Sequence, residues 1–346
     1  MIPPSRSVVT IDLGALRRNV ARLRLAARGS EVWAVVKADA YGHGAPEAAR
    51  AALAAGARAL CVATAQEGAA LRDRFREPRI LVMGPLAPGE DALARQARLD
   101  VAASRPDALP RGVDVHLKVD TGMGRYGMTA AEALAVPRER VVGLMSHLAT
   151  ADEPDERFAR EQLARFAQLS AQFEGVVRHV ANSAATLRFP DSVLDAVRPG
   201  VALYGLSPFG DDPARHGLEP VLSWRSYVAQ ARTLRAGEST GYGRRFRAER
   251  PTRIGLVPVG YADGFRRGLT GTQVAVAGVR RTVVGTVSMD SFAVELAAER
   301  EAAPVTLVGE GVLVEEHARV LETINYELTC GIRTPPERAT REVRGG

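Results

Sequence analysis

Residues 31–44 read EVWAVVKADAYGHG and hold one of only two lysines in this chain of 346 residues. The run that opens the stretch, Glu31–Val36, is mostly apolar and rich in valine, which is typical of a buried strand. Lys37 ends this run, and apolar residues at helical spacing follow at Pro46–Ala55. A strand, a loop and a helix in this order predict one unit of a parallel α/β fold.

The same alternation continues from residue 31 to about residue 201. Helical patterns separate the strand-like runs, as at Ala65–Phe75 and Asp155–Phe173. The strand-like runs are Glu31–Val36, Ala59–Val62, Arg79–Met83, Leu99–Ala102, Val113–Val119, Val141–Met145, Val177–Val180 and Ala196–Arg198. Eight strands, each followed by a crossover, predict an N-terminal (β/α)8 TIM-type barrel rather than a doubly wound sheet.

The pattern changes after about residue 217, where strand-like runs follow one another with little helix between them. These runs are Val221–Leu234, Ile254–Val259, Thr272–Val279, Arg281–Val287 and Val305–Val308. Ala277-Gly278 predicts a hairpin turn, and only Val314–Ile324 has a clear helical pattern. We expect a barrel domain at residues 1–217 and a mainly β domain at residues 218–346. Residues 1–11, with a strand-like run at 8–11, fit either domain.

Composition is that of an ordinary globular protein and argues against several partners. The net charge is +6 and the pI is near 9.7, but the arginines are interspersed with acidic residues, so nucleic-acid binding is not expected. No segment resembles a signal peptide or approaches ~18 uninterrupted apolar residues, so no membrane association is expected. Cys61 and Cys330 lie far apart, which predicts reduced thiols in the cytoplasm and no metal site.

The scarcity of lysine singles out Lys37 and Lys118, because the other 44 basic residues are arginine. A lysine amine can lose its proton, form a Schiff base or be carbamylated, whereas arginine keeps its proton. Catalytic groups of a barrel project from the carboxyl ends of its strands, which is where Lys37 is expected. The apolar strand before it desolvates the amine, lowers its pKa and favours reaction with an aldehyde. The alternative is that two lysines escaped the arginine bias by chance.

The segment VVKADAYGHG at residues 35–44 resembles the cofactor-attachment motif of alanine racemases, with Asp39 where the family usually has asparagine. Further resemblances follow in order along nearly the whole chain. They are HLKVDTGMGRYG at 116–127, SHLATADE at 146–153, HVANSAA at 179–185, VRPGVALYGLSP at 197–208, GYGRRF at 241–246, VGYADG at 259–264 and VSMDS at 287–291. The resemblance implies an enzyme that interconverts L-alanine and D-alanine and supplies D-alanine for peptidoglycan.

The resemblance also implies that the cofactor is pyridoxal 5′-phosphate, attached to Lys37. Its phosphate would be held by Tyr41, Ser183 and the backbone N–H groups of Gly200 and Val201. The last three follow the seventh and eighth predicted strands, where barrels habitually bind phosphate. Taken alone, Gly200 is explained equally well by a turn after Pro199.

Several residues are implied to surround the reacting part of the cofactor. Arg198 would face the pyridine nitrogen and donate to it without protonating it, so the ring would be a weaker electron sink. His179 would orient Arg198, and His147 would hydrogen-bond the second catalytic base. That base would be Tyr242, which would act on the opposite face of the substrate from Lys37.

The remaining assignments also follow from the resemblance. Arg125 would bind the phenolic oxygen of the cofactor and contact the substrate, held in place by Lys118 in a carbamylated, anionic form. The alternative for Lys118 is a solvated lysine at a strand end. Met289 and Asp290 would contact the substrate, and Tyr261 would line its channel. The β-domain residues would reach the active site of a second subunit, which implies a homodimer.

Other functions stay open on the sequence alone. The nearest is a racemase of the same fold that acts on serine as well as alanine; the others are a decarboxylase or aldolase and a cofactor-carrying protein. Tyr242 as a second base and the lack of an evident C-terminal metal cluster argue against a decarboxylase or aldolase. The long β domain that bears Tyr242 and Met289 argues against a cofactor-carrying protein. Residues 122–127 fit the dinucleotide pattern G-x-G-x-x-G, but they follow the fifth predicted strand rather than the first. By the simplest ungapped alignment, Thr334 stands where relatives usually have a tyrosine, which predicts a roomier substrate pocket. The alternative is a local gap in the alignment, with Arg333 or a neighbouring loop closing the site instead.

Overall fold

The computed structural model describes residues 5–345, which form two compact units. The barrel unit comprises residues 16–209 and 216–219, and the β-rich unit comprises residues 5–15, 210–215 and 220–345. The chain begins with β1 (Ser7–Asp12) in the β-rich unit and continues into α1 (Leu13–Ala26). The strand-like run at residues 8–11 therefore lies in the β-rich unit, and the chain passes between the units again after residues 209, 215 and 219.

Eight parallel strands form the barrel unit. They are β2 (Glu31–Val35), β3 (Ala59–Val62), β4 (Arg79–Val82), β5 (Asp100–Ala103), β6 (Val115–Lys118), β7 (Val141–Met145), β8 (Val177–His179) and β9 (Ala196–Val197). The helices between them are α2 (Lys37–Gly42), α3 (Ala45–Ala54), α4 (Ala65–Arg72), α5 (Glu90–Gln96), α6 (Ala130–Ala135), α7 (Arg157–Ser170) and α8 (Ser183–Arg188). The strand order is β8-β7-β6-β5-β4-β3-β2-β9. Next to the outermost strands, Arg198 N–H donates to Ala181 O at 2.9 Å and brings the two ends of the sheet together.

Local sequence explains where several barrel elements begin. Thr64 and Glu67 form a capping box before α4, since Glu67 N–H donates to Thr64 Oγ1 at 3.2 Å and Thr64 N–H donates to the Glu67 carboxylate at 3.3 Å. Thr129 and Glu132 form the same motif before α6. The strands are buried runs of valine, leucine and alanine, as a parallel sheet covered by helices requires. The predicted fold class is confirmed.

The β-rich unit contains a nine-stranded sheet. After β1, its elements are β10 (Leu222–Tyr227), β11 (Gln230–Leu234), β12 (Ser239–Thr240), β13 (Phe246–Arg247), β14 (Thr252–Val257), β15 (Gln273–Val276), β16 (Val279–Val284), β17 (Phe292–Glu295), β18 (Pro304–Val308), α9 (Val314–Val320), α10 (Asn325–Gly331) and β19 (Ala339–Arg344). The sheet order is β11-β14-β17-β16-β15-β18-β10-β1-β19, and β12 pairs separately with β13. Phe265 stacks on Phe292 at 4.5 Å and meets Trp224 edge-on at 6.2 Å, so aromatic rings fill part of its core.

The prediction of one continuous strand at Val221–Leu234 is wrong, because the chain changes partner within it. β10 pairs with β18, whereas β11 pairs with β14. Between these strands, Val228 N–H donates to Ala303 O at 2.9 Å and Ala229 N–H donates to Leu256 O at 2.8 Å. Consecutive amides thus bond to different segments, which ends one strand and begins the next.

Other differences in this unit concern short elements. The hairpin predicted at Ala277-Gly278 is confirmed, since β15 and β16 pair across it. The helix predicted to reach Ile324 ends at Val320, and α10 follows it without having been predicted. The strands β12, β13, β17 and β19 were also not predicted.

Candidate active site

Lys37 lies at the carboxyl end of β2, as the first residue of α2. The next four residues, 38–41, have φ between 51° and 57°, in the left-handed region. This conformation disfavours residues other than glycine by about 1–2 kcal/mol each, so the turn is strained. Ala40 N–H donates to Val36 O at 2.9 Å and Gly44 N–H donates to Asp39 O at 2.9 Å. Sequence analysis did not predict this turn, and Gly42 and Gly44 were its only signal.

Two carboxylates anchor the turn to neighbouring helices. Glu67 Oε1 accepts from Ala38 N–H at 2.8 Å, while Oε2 accepts the amides that precede α4. Asp39 Oδ1 accepts from Ala45 N–H at 2.7 Å, at the start of α3. An asparagine oxygen can accept the same bond, so the aspartate at this position preserves the contact. The backbone that carries Lys37 is therefore fixed on both sides.

Three of the residues expected to hold the cofactor phosphate lie together. Ser183 Oγ accepts from Gly200 N–H at 2.9 Å and from Ala202 N–H at 3.3 Å. A Cβ at position 200 would lie 2.4 Å from the Tyr41 hydroxyl, so only glycine lets this hydroxyl reach the backbone. Val201 begins the short 3-10 turn that contains Ala202, which sequence analysis had not selected. Hydroxyls and backbone amides gathered in this way fit a phosphate group.

Tyr204 packs against this cluster, and sequence analysis did not select it. Its ring lies 5.1 Å from that of Tyr41 and stacks on His43 at 4.5 Å. Its hydroxyl donates to Val35 O at 2.7 Å, which links Tyr204 to β2, the strand that precedes Lys37. Tyr204 is fully buried, so its ring fixes the position of Tyr41 by packing.

Arg198 is a buried cation immediately after β9, with 3% of its surface exposed. Nη1 donates to His179 Nδ1 and, at 2.7 Å, to His179 O. Nη2 donates to Ser146 O at 2.7 Å. Burial lowers the pKa of Arg198 to about 10, so the guanidinium keeps its proton at neutral pH. The structure thus brings His179 and Arg198 into contact.

Lys118 and Arg125 add positive charge at the same end of the barrel, and His147 lies near them. Lys118 ends β6 and is buried; burial, followed by Arg125 and Arg198, lowers its pKa to about 8. Arg125 is exposed in the loop after β6. His147 follows β7, and burial together with four nearby cations lowers its pKa to about 3, so it is neutral. These four cations are Arg198, Arg125, Lys118 and Lys37. Such a field favours anionic ligands.

Four predicted site residues lie in the β-rich unit, namely Tyr242, Tyr261, Met289 and Asp290. Hydrogen bonds link the segments that carry them. Thr286 Oγ1 donates to Tyr242 O at 2.9 Å, and Tyr261 N–H donates to Ser288 O at 3.1 Å. The side chains of Tyr242, Met289 and Tyr261 are 71%, 52% and 40% exposed. Three large side chains therefore stand on the surface of one part of this unit.

Asp290 is held by Arg338, a residue that sequence analysis did not select. Arg338 Nη2 donates to Asp290 Oδ1 at 2.7 Å, and Nε donates to the buried Asp263 at 2.6 Å. Arg6 Nη2 adds a bond of 2.5 Å to Asp290 O. The loop at Met289 and Asp290 is thus fastened to two other segments of the unit.

Among residues 5–345, no group of three or more His, Cys, Asp or Glu residues is placed to hold a metal ion. Nor is any helix of this range long and apolar enough to cross a membrane.

Comparison with known proteins identifies the family. Residues 11–208 match the family model described as alanine racemase, N-terminal domain, and residues 221–340 match alanine racemase, C-terminal domain. The chain belongs to the alanine racemase family. The resemblance seen in its motifs therefore extends over both units.

Individual alanine racemases are similar over almost their full length. The alanine racemase of Mycobacterium avium is 41% identical over 371 residues, covering 96% of this chain and 94% of its own. The crystal structure of the biosynthetic alanine racemase from Pseudomonas aeruginosa matches with a TM-score of 0.91 and 38% identity, covering 100% of both chains. The alanine racemase from Bartonella henselae, solved with covalently bound pyridoxal phosphate, matches with a TM-score of 0.91 and 28% identity. That match covers 99% of this chain and 100% of the other.

Membership of the alanine racemase family confirms the predicted reaction and cofactor: the enzyme is an isomerase that racemises alanine and depends on pyridoxal phosphate. The cluster at the carboxyl end of the barrel fits this cofactor. Its members are Lys37, Tyr41, Arg125, Ser183, Arg198, Gly200 and Val201. When bound, pyridoxal phosphate supplies an electron sink for the charge that develops on the α-carbon of the substrate.

Proposed function

We propose that this racemase moves the α-proton of alanine with two bases, Lys37 on one face of the substrate and Tyr242 on the other. We further propose that it acts as a cytoplasmic homodimer with shared active sites, and that its D-alanine enters peptidoglycan. The observation that carries the proposal is the cluster around Lys37, a lysine on a firmly held backbone that lies near several cations and in the same unit as the proposed phosphate site.

The role of Lys37 follows from where its backbone is fixed. The strained turn at residues 38–41 and the bond from Ala38 N–H to Glu67 hold the start of α2 in one place. Lys37 is close enough to Lys118 and His147 to lower their pKa values. Its Nζ would accept the α-proton from one face of the substrate while Tyr242 delivers a proton to the opposite face, and in the reverse direction the two residues exchange these roles. Holding a base at a defined position is a large part of what an active site contributes.

The cations around Lys37 have separate tasks in this proposal. Arg198 would donate to the pyridine nitrogen and keep its own proton, because its pKa of about 10 stays above neutral pH. Arg125 would bind the phenolic oxygen of the cofactor and the carboxylate of the substrate. Met289 and Asp290 would complete the substrate site, and neutral His147 would hydrogen-bond the second base.

Tyr242 is proposed as the base that a second subunit supplies. Its side chain is 71% exposed, while Thr286 fixes its backbone carbonyl. Gly241 and Gly243 on either side have φ of 77° and 73°, a conformation that glycine adopts freely and that presents the ring on a tight turn. Exposed Met289 and Tyr261 lie in adjoining segments, and large exposed side chains grouped in this way are typical of interfaces.

Subunit mixing tests the shared site. Lys37→Ala and Tyr242→Ala should each be inactive as pure proteins, but a mixed dimer would hold one intact site and one doubly defective site. Recovered D-alanine formation after subunit exchange supports the proposal. Mixed dimers that form, as shown by a mass-tagged subunit, yet stay inactive would show that Tyr242 does not act across the interface.

Chemical trapping tests Lys37 separately. Borohydride reduction of the holoenzyme and peptide mapping should place the cofactor on Lys37, with Lys118→Arg as a control that retains this labelling. Cofactor found on Lys118 would contradict the assignment. Lys37→Arg should be nearly inactive although it keeps the charge, because a guanidinium cannot attach the cofactor.

A further inference from the structure

Two histidines meet inside the barrel, and only one of them has a proposed role. His116 on β6 and His179 on β8 are fully buried, and His116 Nδ1 lies 2.8 Å from His179 Nε2. His116 Nε2 lies 3.1 Å from Asp100 Oδ2 on β5, and Arg79 Nε on β4 contacts the same oxygen at 2.8 Å. A continuous chain of contacts therefore runs from Arg198 through both imidazoles to Asp100.

The chemistry of the two ends fixes the direction of every hydrogen bond in this chain. A guanidinium can only donate, so His179 Nδ1 must accept from Arg198 and the proton of His179 must be on Nε2. That proton points to His116 Nδ1, which must accept it, so the proton of His116 is also on Nε2. It is donated to the carboxylate of Asp100, which can only accept. Burial lowers the pKa of both imidazoles, which keeps them neutral.

The barrel is shaped to hold the His116 ring in this position. A Cβ at Gly143, on the neighbouring strand β7, would lie 2.0 Å from His116 Nδ1, so any other residue there would displace the nitrogen that faces His179. Trp33 packs against both imidazoles, with ring centroids 5.6 Å from His116 and 4.7 Å from His179. Arg79, the partner of Asp100, lies over the same indole at 5.2 Å.

We propose that Asp100 and His116 are positioning residues, which fix the tautomer of His179 and thereby hold the guanidinium of Arg198 in its position. The acceptors described for Arg198 are a neutral imidazole and backbone carbonyls. The carboxylate of Asp100 is connected to Arg198 through the hydrogen bonds of the two imidazoles, which it polarises. The inference rests on the proposed role of Arg198 at the pyridine nitrogen, but the tautomers it requires are properties of the barrel alone.

The other tautomer of His179 would place two hydrogen-bond donors opposite each other. If His179 carried its proton on Nδ1, that N–H would point at the Nη1 group of Arg198, and the guanidinium would have to move. Loss of a buried group that orients a metal ligand typically lowers activity by ~10–100-fold, and we expect a similar loss for a group that orients Arg198. A mispositioned Arg198 would also change how much substrate is transaminated to pyruvate rather than racemised.

The tautomers can be read directly by NMR on protein labelled with ¹⁵N-histidine, both with and without bound cofactor. The chain has six histidines, so single variants can assign the signals. In the wild type, His116 and His179 should both carry the proton on Nε2. Either residue with its proton on Nδ1 in the wild type would overturn the proposal.

Two variants test the coupling. Asp100→Asn removes the charge at the end of the chain, and His116→Phe removes the acceptor of His179 while keeping a ring against Trp33. Each should shift the His179 imidazole signals, lower kcat for racemisation by ~10–100-fold and change the ratio of pyruvate to D-alanine formed.

The matched control is Asp195→Asn. Asp195 pairs with Arg178, next to His179 in sequence, at 2.8 Å, but it is not part of the chain of imidazoles. This control should leave the His179 signals and the product ratio unchanged. The positioning role would be overturned if Asp100→Asn or His116→Phe left both the His179 signals and the product ratio unchanged, as the control does. This result would hold whatever the outcome of the subunit-mixing and trapping experiments.

Discussion

Arg338 Nη2 donates to Asp290 across 2.7 Å, and the same guanidinium holds Asp263 through Nε at 2.6 Å. Asp263 is 1% exposed and Arg338 is 24% exposed by side chain, so the pair is largely shielded from water. Asp263 also accepts from Gly260 N–H at 2.8 Å, close to Tyr261. One arginine near the end of the chain thus ties together the segments that carry two proposed substrate-site residues.

Replacement of this arginine should weaken substrate binding. Arg338→Gln should raise KM for alanine more than it lowers kcat, because Asp290 and Met289 would lose their fixed position. It should also lower the free energy of unfolding by about 1–3 kcal/mol, because Asp263 would be left buried without its partner. Arg280→Gln is the control, since Arg280 forms a bidentate ion pair with Glu316 at 2.5 and 2.7 Å in the same unit. An equal rise of KM in both variants would contradict the prediction.

Lys118 should be carbamylated in solutions that contain bicarbonate. Its pKa is lowered from 10.5 to about 8 by burial and by Arg125, Arg198 and Lys37, so a substantial fraction of its amine is neutral near pH 8. The neutral amine adds carbon dioxide and releases one proton. Protein kept in ¹³C-bicarbonate should show a carbamate signal that Lys118→Gln lacks. A wild-type spectrum without this signal would contradict the prediction.

The same pKa predicts how stability depends on pH when bicarbonate is absent. Between pH 8 and 10.5 the unfolded chain keeps a proton on Lys118 that the folded chain has lost. Unfolding therefore takes up a proton, and the free energy of unfolding should rise with pH over this interval. Denaturant titrations of wild type and Lys118→Gln across this pH interval measure the free energy of unfolding of each protein. A difference between them that stays constant with pH would argue against the lowered pKa.

Arg198 should control the ratio of two reactions. Arg198→Glu would place a carboxylate at the pyridine nitrogen, favour its protonation and deepen the electron sink. The ratio of pyruvate to D-alanine formed should rise by about tenfold, which corresponds to about 1.4 kcal/mol. Arg198→Lys keeps a cationic donor and should raise the ratio less than Arg198→Glu does. Loss of racemisation in Arg198→Glu without any pyruvate would refute this role.

Thr334 should determine tolerance for larger side chains. It lies half-buried between α10 and β19, beside Arg333, whose N–H donates to Asp263 O at 2.9 Å. We propose that its short side chain leaves room for serine as a substrate in addition to alanine. Thr334→Tyr should shift kcat/KM toward L-alanine over L-serine by roughly tenfold, since one contact in a small pocket contributes ~1–3 kcal/mol. An unchanged ratio would mean that Thr334 does not line the pocket.

Contacts between distant residues account for most of what could not be predicted. Glu67 caps its own helix, as the capping box at Thr64 indicates, but its bond to Ala38 joins residues 29 positions apart. His116 and His179 are 63 positions apart, and each alone is an ordinary buried histidine. The residues next to each member in the sequence do not reveal such pairs. Each pair depends on which groups face each other once the barrel has formed.

The sequence by itself determined the alternation of strands and helices, the position of Lys37 at a strand end and the family motifs. These features are local. A period of two residues indicates a strand and a period of 3.6 residues indicates a helix, because each period follows from the backbone geometry of that segment. A family motif is likewise an order of residue types within one short segment. Tertiary structure alone decided the left-handed turn after Lys37, the break between β10 and β11 and the path from Arg198 to Asp100. Each needs partners from elsewhere in the chain, because a strained turn, an abrupt change of strand partner or a buried polar group is stable only when other segments satisfy its hydrogen bonds.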